Sequence, residues 1–436
     1  GDGTAAHLLR RVGFGGTPDE IAEWSELAYP DAVERLLDPT PDAAAAAVTP
    51  PTFRTAEIRQ GRGEDRSIEE RRTAQQTART ERRAIVRWWL ERMVATRRPL
   101  TEKLTWLWHD HFATSIAKVK VAELMYEQHR TIAAGAMGRF DELVAGMVRD
   151  PAMLVWLDGR ESKVGAPNEN FARELFELFT LGHGAPTVGH HRAAPPYGEV
   201  DIVDAARALT GWQIDPATRT GVLNRRRHDG ATKTVLGRTG PLDADDVVEL
   251  VTQHPATAPH VVARLWSRIG RPANADDALV VELAVPFARD LDIRGLVRSM
   301  LLHPQFLATD TRTALLKTPV EWLVGSARAL GVSVDDWWLR VLDGLGQVPF
   351  VPPDVAGWPA NEGWLSTSSA QVRLQGAELL VGSAARRSSV VAALDDLPPS
   401  GRPDAAARVL GVERWSPATC SAGTTASRRG STPSLR

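Results

Sequence analysis

A mainly α-helical fold, one large helical domain with a small β-hairpin insertion and long ordered loops, is what the 436-residue sequence predicts. Three observations predict it: helix-start signals recur along the chain, apolar residues return at helical spacing, and alternating strand patterns are scarce. At this length the chain can bury a substantial core.

A hydroxyl or carboxyl cap followed three residues later by Glu marks helix starts at Thr17-Pro18-Asp19-Glu20, at Asp31 to Glu34 and at Thr318-Pro319-Val320-Glu321. Pro at the first helical position strengthens the first and third. Residues 39–75 mix Pro, Ala and interleaved opposite charges, and read as a loop and a solvated helix, an insertion or linker. Its arginines do not make an RNA-binding stretch, because the acidic residues among them cancel the attraction for phosphate. Helical spacing returns at Ile85, Trp88, Trp89, Arg92 and Met93, at Leu104, Leu107, Trp108 and His111, and at Val261, Val262, Leu265 and Trp266. Asn168 caps a helix that Gly182 ends, and Asp201 caps another that closes at Thr210-Gly211-Trp212. Val222 to Gly237 holds the one plausible hairpin, with Asp229-Gly230 as a turn between Val222-Leu223 and Thr234-Val235-Leu236. Gly346 to Trp364 is too rich in Pro and Gly for a helix and reads as an ordered loop held by Phe350, Trp358 and Trp364. A single domain then spans 1–415, and 416–436 is a disordered or aberrant tail.

The formal net charge is -2, so no global basic field argues for nucleic acid or an anionic membrane surface. Only six of the 52 basic residues are Lys. Cys420 stands alone, which excludes an intrachain disulfide and a cysteine-rich metal site, so any metal must be held by His, Asp and Glu. No apolar run approaches the roughly 20 residues of a membrane span, and the chain reads as soluble. It begins at Gly1 without an initiator Met, which reads as a removed leader or a trimmed start.

The helix from Asn168 carries the best candidate site. At about 100° per residue, Phe171, Ala172, Leu175, Phe176, Leu178 and Phe179 cover one broad arc, while Asn170, Arg173, Glu174 and Glu177 share the other. Two carboxylates beside a guanidinium suit a metal site or a general acid/base pair, and equally an ordinary solvated face with an i,i+4 ion pair. Trp108-His109-Asp110-His111-Phe112 places two histidines around an aspartate in an aromatic setting, either as ligands or as core and capping residues. In a continuing helix His109 and His111 point about 200° apart and cannot grip one ion, whereas in an extended or terminating segment they share a side. His228-Asp229-Gly230 with Lys233 gathers a base, an acid and an ammonium at a turn, where turn chemistry alone also explains Asp229 and Gly230. His183, His190 and His191 are weaker candidates in an irregular stretch, and Trp337, Trp338, Trp358 and Trp364 form either a stacking platform for a flat ligand or part of the core. No Gly-rich phosphate loop, His-Glu-x-x-His helix or Gly-x-Ser-x-Gly elbow is present.

In order along the chain, His7-Leu8-Leu9-Arg10-Arg11-Val12-Gly13-Phe14-Gly15, Trp108 to Phe112, Asn168 to Leu175, Ala208-Leu209-Thr210-Gly211-Trp212, His228-Asp229 with Lys233, and Val355-Ala356-Gly357-Trp358-Pro359 resemble the bacterial family called domain of unknown function 1800, over about residues 5 to 415. The resemblance implies no assigned activity. It implies export and a neighbouring, sulfatase-like uncharacterised protein as a partner. Tyr197-Gly198-Glu199 departs from the family's Tyr-Thr-Glu, so a role for that Thr hydroxyl is lost, and Cys420 to Arg436 stands where a closing helix is expected.

Together these readings place Glu174, Glu177, His109, His228 and Asp229 as catalytic candidates, and Asn170, Arg173, Lys233 and Trp358 as binding candidates. His109, His111 and Glu174 are the candidate ligands for a divalent Zn, Mn or Fe. The expected chemistry is hydrolytic or lyase-like on an extracytoplasmic substrate, metal-dependent or acid/base. The alternative is a noncatalytic assembly or ligand-binding protein in which the same His, Glu and Arg residues form a buried structural network. An open cleft reaching Glu174 and His109 favours the first, a closed and fully paired network the second.

Overall fold

The computed structural model describes residues 2–54, 67–183, 195–384 and 388–410. His190, His191, Cys420 and the tail over 416–436 lie outside the described residues. The chain is 63% helical, with two small antiparallel two-stranded sheets among the described residues, which is the mainly α architecture that the sequence predicts.

Local chemistry explains most helix starts. Thr17 accepts the Glu20 N–H while Glu20 reaches back to the Thr17 N–H, and Thr318 and Glu321 repeat the arrangement at the Pro319–Leu330 helix. Two starts differ from the sequence reading. The Tyr29–Leu37 helix opens after Ala28, with Pro30 in its first turn and Asp31 already inside it. Glu199–Ala208 opens after Gly198, and Asp201 is its third residue, accepting the Gly198 N–H at 2.8 Å. In both, the carboxylate still lies at the positive end of the helix.

The stretch over 39–75 is tied down at its start. Asp42 caps the short Ala43–Ala46 helix and also accepts bonds from the Thr96 hydroxyl and the Arg97 and Arg98 amides. Those bonds hold its carboxyl below the usual range even though burial opposes ionisation. Ser67 then opens the long Ile68–Ala95 helix with a capping box to Glu70. The exposed first half of that helix gives way to a face of Ile85, Val86, Trp88, Trp89, Leu90 and Met93 buried in the core.

The β structure also differs in its pairing. Trp212–Ile214 pairs with Gly221–Leu223, and Lys233–Val235 pairs with Arg238–Gly240, so Val222-Leu223 and Thr234-Val235 belong to different hairpins. Leu236 and Gly237 both have positive φ, +48° and +83°, and make the two-residue turn of the second hairpin. Asp229-Gly230 lies in the loop between the hairpins.

At the centre lies Pro99–His111, a helix buried on every side except at Thr101. Trp89, Phe112, Phe140 and Phe350 pack against its Trp106, Trp108 and His109. A second buried anchor joins the N-terminal segments to the Pro319–Leu330 helix. The Arg328 guanidinium pairs with both Glu20 oxygens and donates to the carbonyls of Gly15, Val94 and Thr96. With all its donors committed, this buried cation fixes the N-terminal helices against the Pro319–Leu330 helix.

Candidate functional site

The Asn168 helix starts as the sequence predicts, with the Asn168 side chain accepting the Asn170 N–H at 2.9 Å, but it changes character midway. Glu169–Glu174 is α-helical and Leu175–Thr180 is π-helical. The Leu181 N–H bonds back to Phe176, five residues away, and the Thr180 hydroxyl to Leu175. The late carbonyls of this wide turn find partners on other helices. His111 Nε2 donates to Phe179 O and His260 Nε2 to Leu178 O, each at 3.0 Å. Gly182 ends the helix at φ +78°, where an added Cβ would lie 2.7 Å from His260 Nδ1.

On the polar stripe, Arg173 pairs with Glu199, with Glu177 at 3.6 Å and with Glu169 at 3.8 Å. Glu177 also faces His183 Nδ1 at 3.5 Å. Glu174 differs: it is half-buried and has no hydrogen bond or ion pair among the described residues. Burial, Glu177 and Asp354 all raise its proton affinity, and Arg173 only partly opposes them. Tyr197 stands beside this pair, its ring edge-on to Phe176 at 5.3 Å, and burial and both glutamates push its hydroxyl above the usual range. Asn170 is exposed beyond the cluster.

The histidines of the central helix are not part of this cluster. His109 sits among Trp89, Trp106, Phe350 and Trp358, and its Nε2 accepts the Phe350 N–H at 3.2 Å. His111 meets the Asn168 helix through the Phe179 carbonyl, not through its carboxylates, and its Nδ1 is buried without a partner. No group of three or more His, Cys, Asp or Glu among the described residues is arranged to hold a metal ion, so the His109, His111 and Glu174 set is not assembled. The physical reason is the 200° divergence of the two histidines on one helix, which sends each to a different backbone group.

Nor does the His228 turn converge on Glu174. His228 Nδ1 donates to Thr210 O, Asp229 pairs with Arg207 and its N–H donates to the Thr210 hydroxyl oxygen, and the buried Lys233 ammonium donates to the carbonyls of Ala231 and Leu242. The Glu199–Ala208 helix lies between: Glu199 at its start holds Arg173, and Arg207 near its end holds Asp229, about 12 Å along the axis. Trp337, Trp338, Trp358 and Trp364 are all buried, and Trp358 stacks on Trp106 at 4.9 Å, so no platform faces solvent.

Sequence reasoning missed the residue that joins two of its own motifs. Asp110 accepts the Trp358 N–H at 2.7 Å and pairs with Arg268 at 2.6 Å, and Arg268 also donates to Trp358 O. Gly357 has φ +90°, and an added Cβ would lie 2.5 Å from the Asp110 carbonyl oxygen. The local signal was the Asp between two histidines, but its partners are 158 and 248 residues away.

A family model described as Protein of unknown function (DUF1800) matches residues 7–435. No curated protein and no solved structure matches the chain.

Two outcomes follow from this geometry. Asp110→Ala leaves Arg268 with an unpaired, largely buried charge and should lower stability by about 3 kcal/mol or more in chemical denaturation. Burial holds His7 and His109 near 3 and His260 near 4, and keeps His111 and His129 well below the usual 6.5. Below pH 6.5 the unfolded chain therefore binds protons that the folded chain refuses, so stability falls as pH drops from 6.5 toward 4, by up to about 1.4 kcal/mol per pH unit for each such histidine. Denaturant midpoints measured across that range check the slope.

Proposed function

The chain belongs to the DUF1800 family, and we propose that it performs acid/base chemistry at the Glu174 and Glu177 pair, as a hydrolase or lyase acting on an extracytoplasmic substrate. One observation carries this reading: Glu174 is a half-buried carboxyl without a hydrogen bond or ion pair among the described residues, beside a second carboxyl, Glu177, that faces Arg173 and His183. Burial and like charge keep a proton on Glu174 above the ordinary carboxylate range, the condition for a general acid. Glu177, which faces Arg173 at 3.6 Å and His183 Nδ1 at 3.5 Å, is the second carboxyl of this scheme. Arg173 positions Glu177, and Tyr197 closes one side of the pair.

A second reading, a noncatalytic binding or assembly protein, is favoured by a different observation. His109, His111, His228 and Lys233 are committed to backbone groups, and Asp229 to the Arg207 guanidinium.

Glu174→Gln separates the two. A raised proton affinity in the folded state stabilises the fold below the unfolded-state pKa and loses that advantage as pH rises through the folded one. The variant should therefore melt higher than the wild type at pH 7, and the gap should close as pH falls below 4. Against chromogenic phosphate, sulfate, carboxylate and glycoside esters, it should lose about 100-fold or more of any turnover the wild type shows. Turnover that survives intact in Glu174→Gln removes the acid/base assignment and favours the binding reading.

A further inference from the structure

The first helix, the central helix and the Pro319–Leu330 helix enclose a pocket that the carboxylate pair does not use. Its wall carries Arg10, Arg11, Lys103, Arg268 and Lys317 against one carboxylate, Glu321. Lys103 pairs with Glu321, and Arg268 pairs with Asp110. Arg11 donates to two carbonyls, Thr311 O at 2.7 Å and Arg312 O at 3.0 Å, and its Nε is buried with no partner. The Lys317 ammonium has no hydrogen bond or ion pair among the described residues.

Unpaired cations in a sheltered cleft are costly, because burial removes the water that would solvate them and their mutual repulsion is poorly screened. The effect is visible in both groups: burial and the neighbouring cations hold Lys317 near 8 and bring Arg11 down to about 10. The capped start of the Pro319–Leu330 helix, at Thr318 and Glu321, adds its positive dipole end to the same wall. The cleft has about 50 Å³ of accessible space, room for about four water-sized groups and far less than a drug-sized ligand needs.

We propose that this pocket binds a tetrahedral oxyanion, phosphate or sulfate, with Lys317 and Arg11 as its principal contacts. The match is one of charge and size. An oxyanion supplies the negative charge that the wall lacks, its oxygens accept from the Lys317 ammonium beside the Arg11 guanidinium, and it is of the size of the few waters it would displace. Arg10 and Arg11 belong to the N-terminal motif, and Thr318 to Glu321 to a capping box, so the site also gives these segments a role that the Glu174 cluster does not.

The test uses the full chain. Thermal unfolding and calorimetric titration are run with inorganic phosphate, with sulfate, and with chloride at matched ionic strength. The wild type should gain stability from phosphate or sulfate beyond the chloride control and saturate at one equivalent. Lys317→Met should bind at least tenfold more weakly, while in chloride it melts no lower than the wild type, because it removes repulsion and no bond. Competition by phenyl phosphate supports an esterified group as the ligand, and its failure beside inorganic binding supports the free anion. A wild type that gains no more from phosphate or sulfate than from chloride overturns the proposal, as does a Lys317→Met variant with wild-type affinity.

Discussion

The structure depends on one constraint: the Pro99–His111 helix is buried nearly all round yet carries Glu102, Lys103, His109, Asp110 and His111. Each polar group so placed must find a partner or lose the free energy of its desolvation. Glu102 takes Arg92 and the Trp89 N–H, Lys103 takes Glu321, His109 the Phe350 amide, Asp110 the Trp358 amide and Arg268, and His111 the Phe179 carbonyl. None of those partners lies on the helix itself: they come from the Ile68–Ala95 helix, the Asn168 helix, the Thr257–Ile269 helix, the Pro319–Leu330 helix and the loop that holds Phe350 and Trp358. The helix thus specifies, through hydrogen bonds with fixed geometry, which segments lie against it and in what register, while aromatic rings such as Trp89 and Phe140 pack against its His109 and Trp108.

That constraint divides the motif residues into two kinds. Those on or against the central helix, and those at the His228 turn, satisfy backbone groups and leave little for a ligand. Charged groups left without a counter-ion lie at the margins, Glu174 on the outer face of the Asn168 helix and Lys317 in the cationic cleft beside Arg11. A carboxyl that favours its proton and a cation without a counter-ion are opposite departures from the paired state, and both are places where binding a ligand would relieve a cost.

What the sequence reveals is what short-range chemistry determines. Capping boxes at Thr17 and Thr318, the Asn168 cap and the Gly182 terminator were legible because cap and partner are three or four residues apart or depend on one φ angle. The four-residue polar stripe was legible from periodicity. The π turn was not, because its wide carbonyls are satisfied by His111 and His260 from distant helices. Nor was the hairpin pairing: Leu236-Gly237 gave no stronger turn signal than Asp229-Gly230, and the latter is held instead by Arg207 and Thr210. Asp110 was hidden for the same reason, as a residue whose role exists only in the packed state. No helix among the described residues is long and apolar enough to cross a membrane, in line with the absence of long apolar runs in the sequence.

The most direct measurement of this account is native-state hydrogen exchange at the Phe350 and Trp358 amides, which donate to His109 and Asp110. If the central helix is the element to which the loop is bolted, both amides exchange only through global unfolding, with the same free energy as the amides of the helix itself. Exchange through a local opening several kcal/mol cheaper than global unfolding would show that the loop is held elsewhere, and would contradict the account.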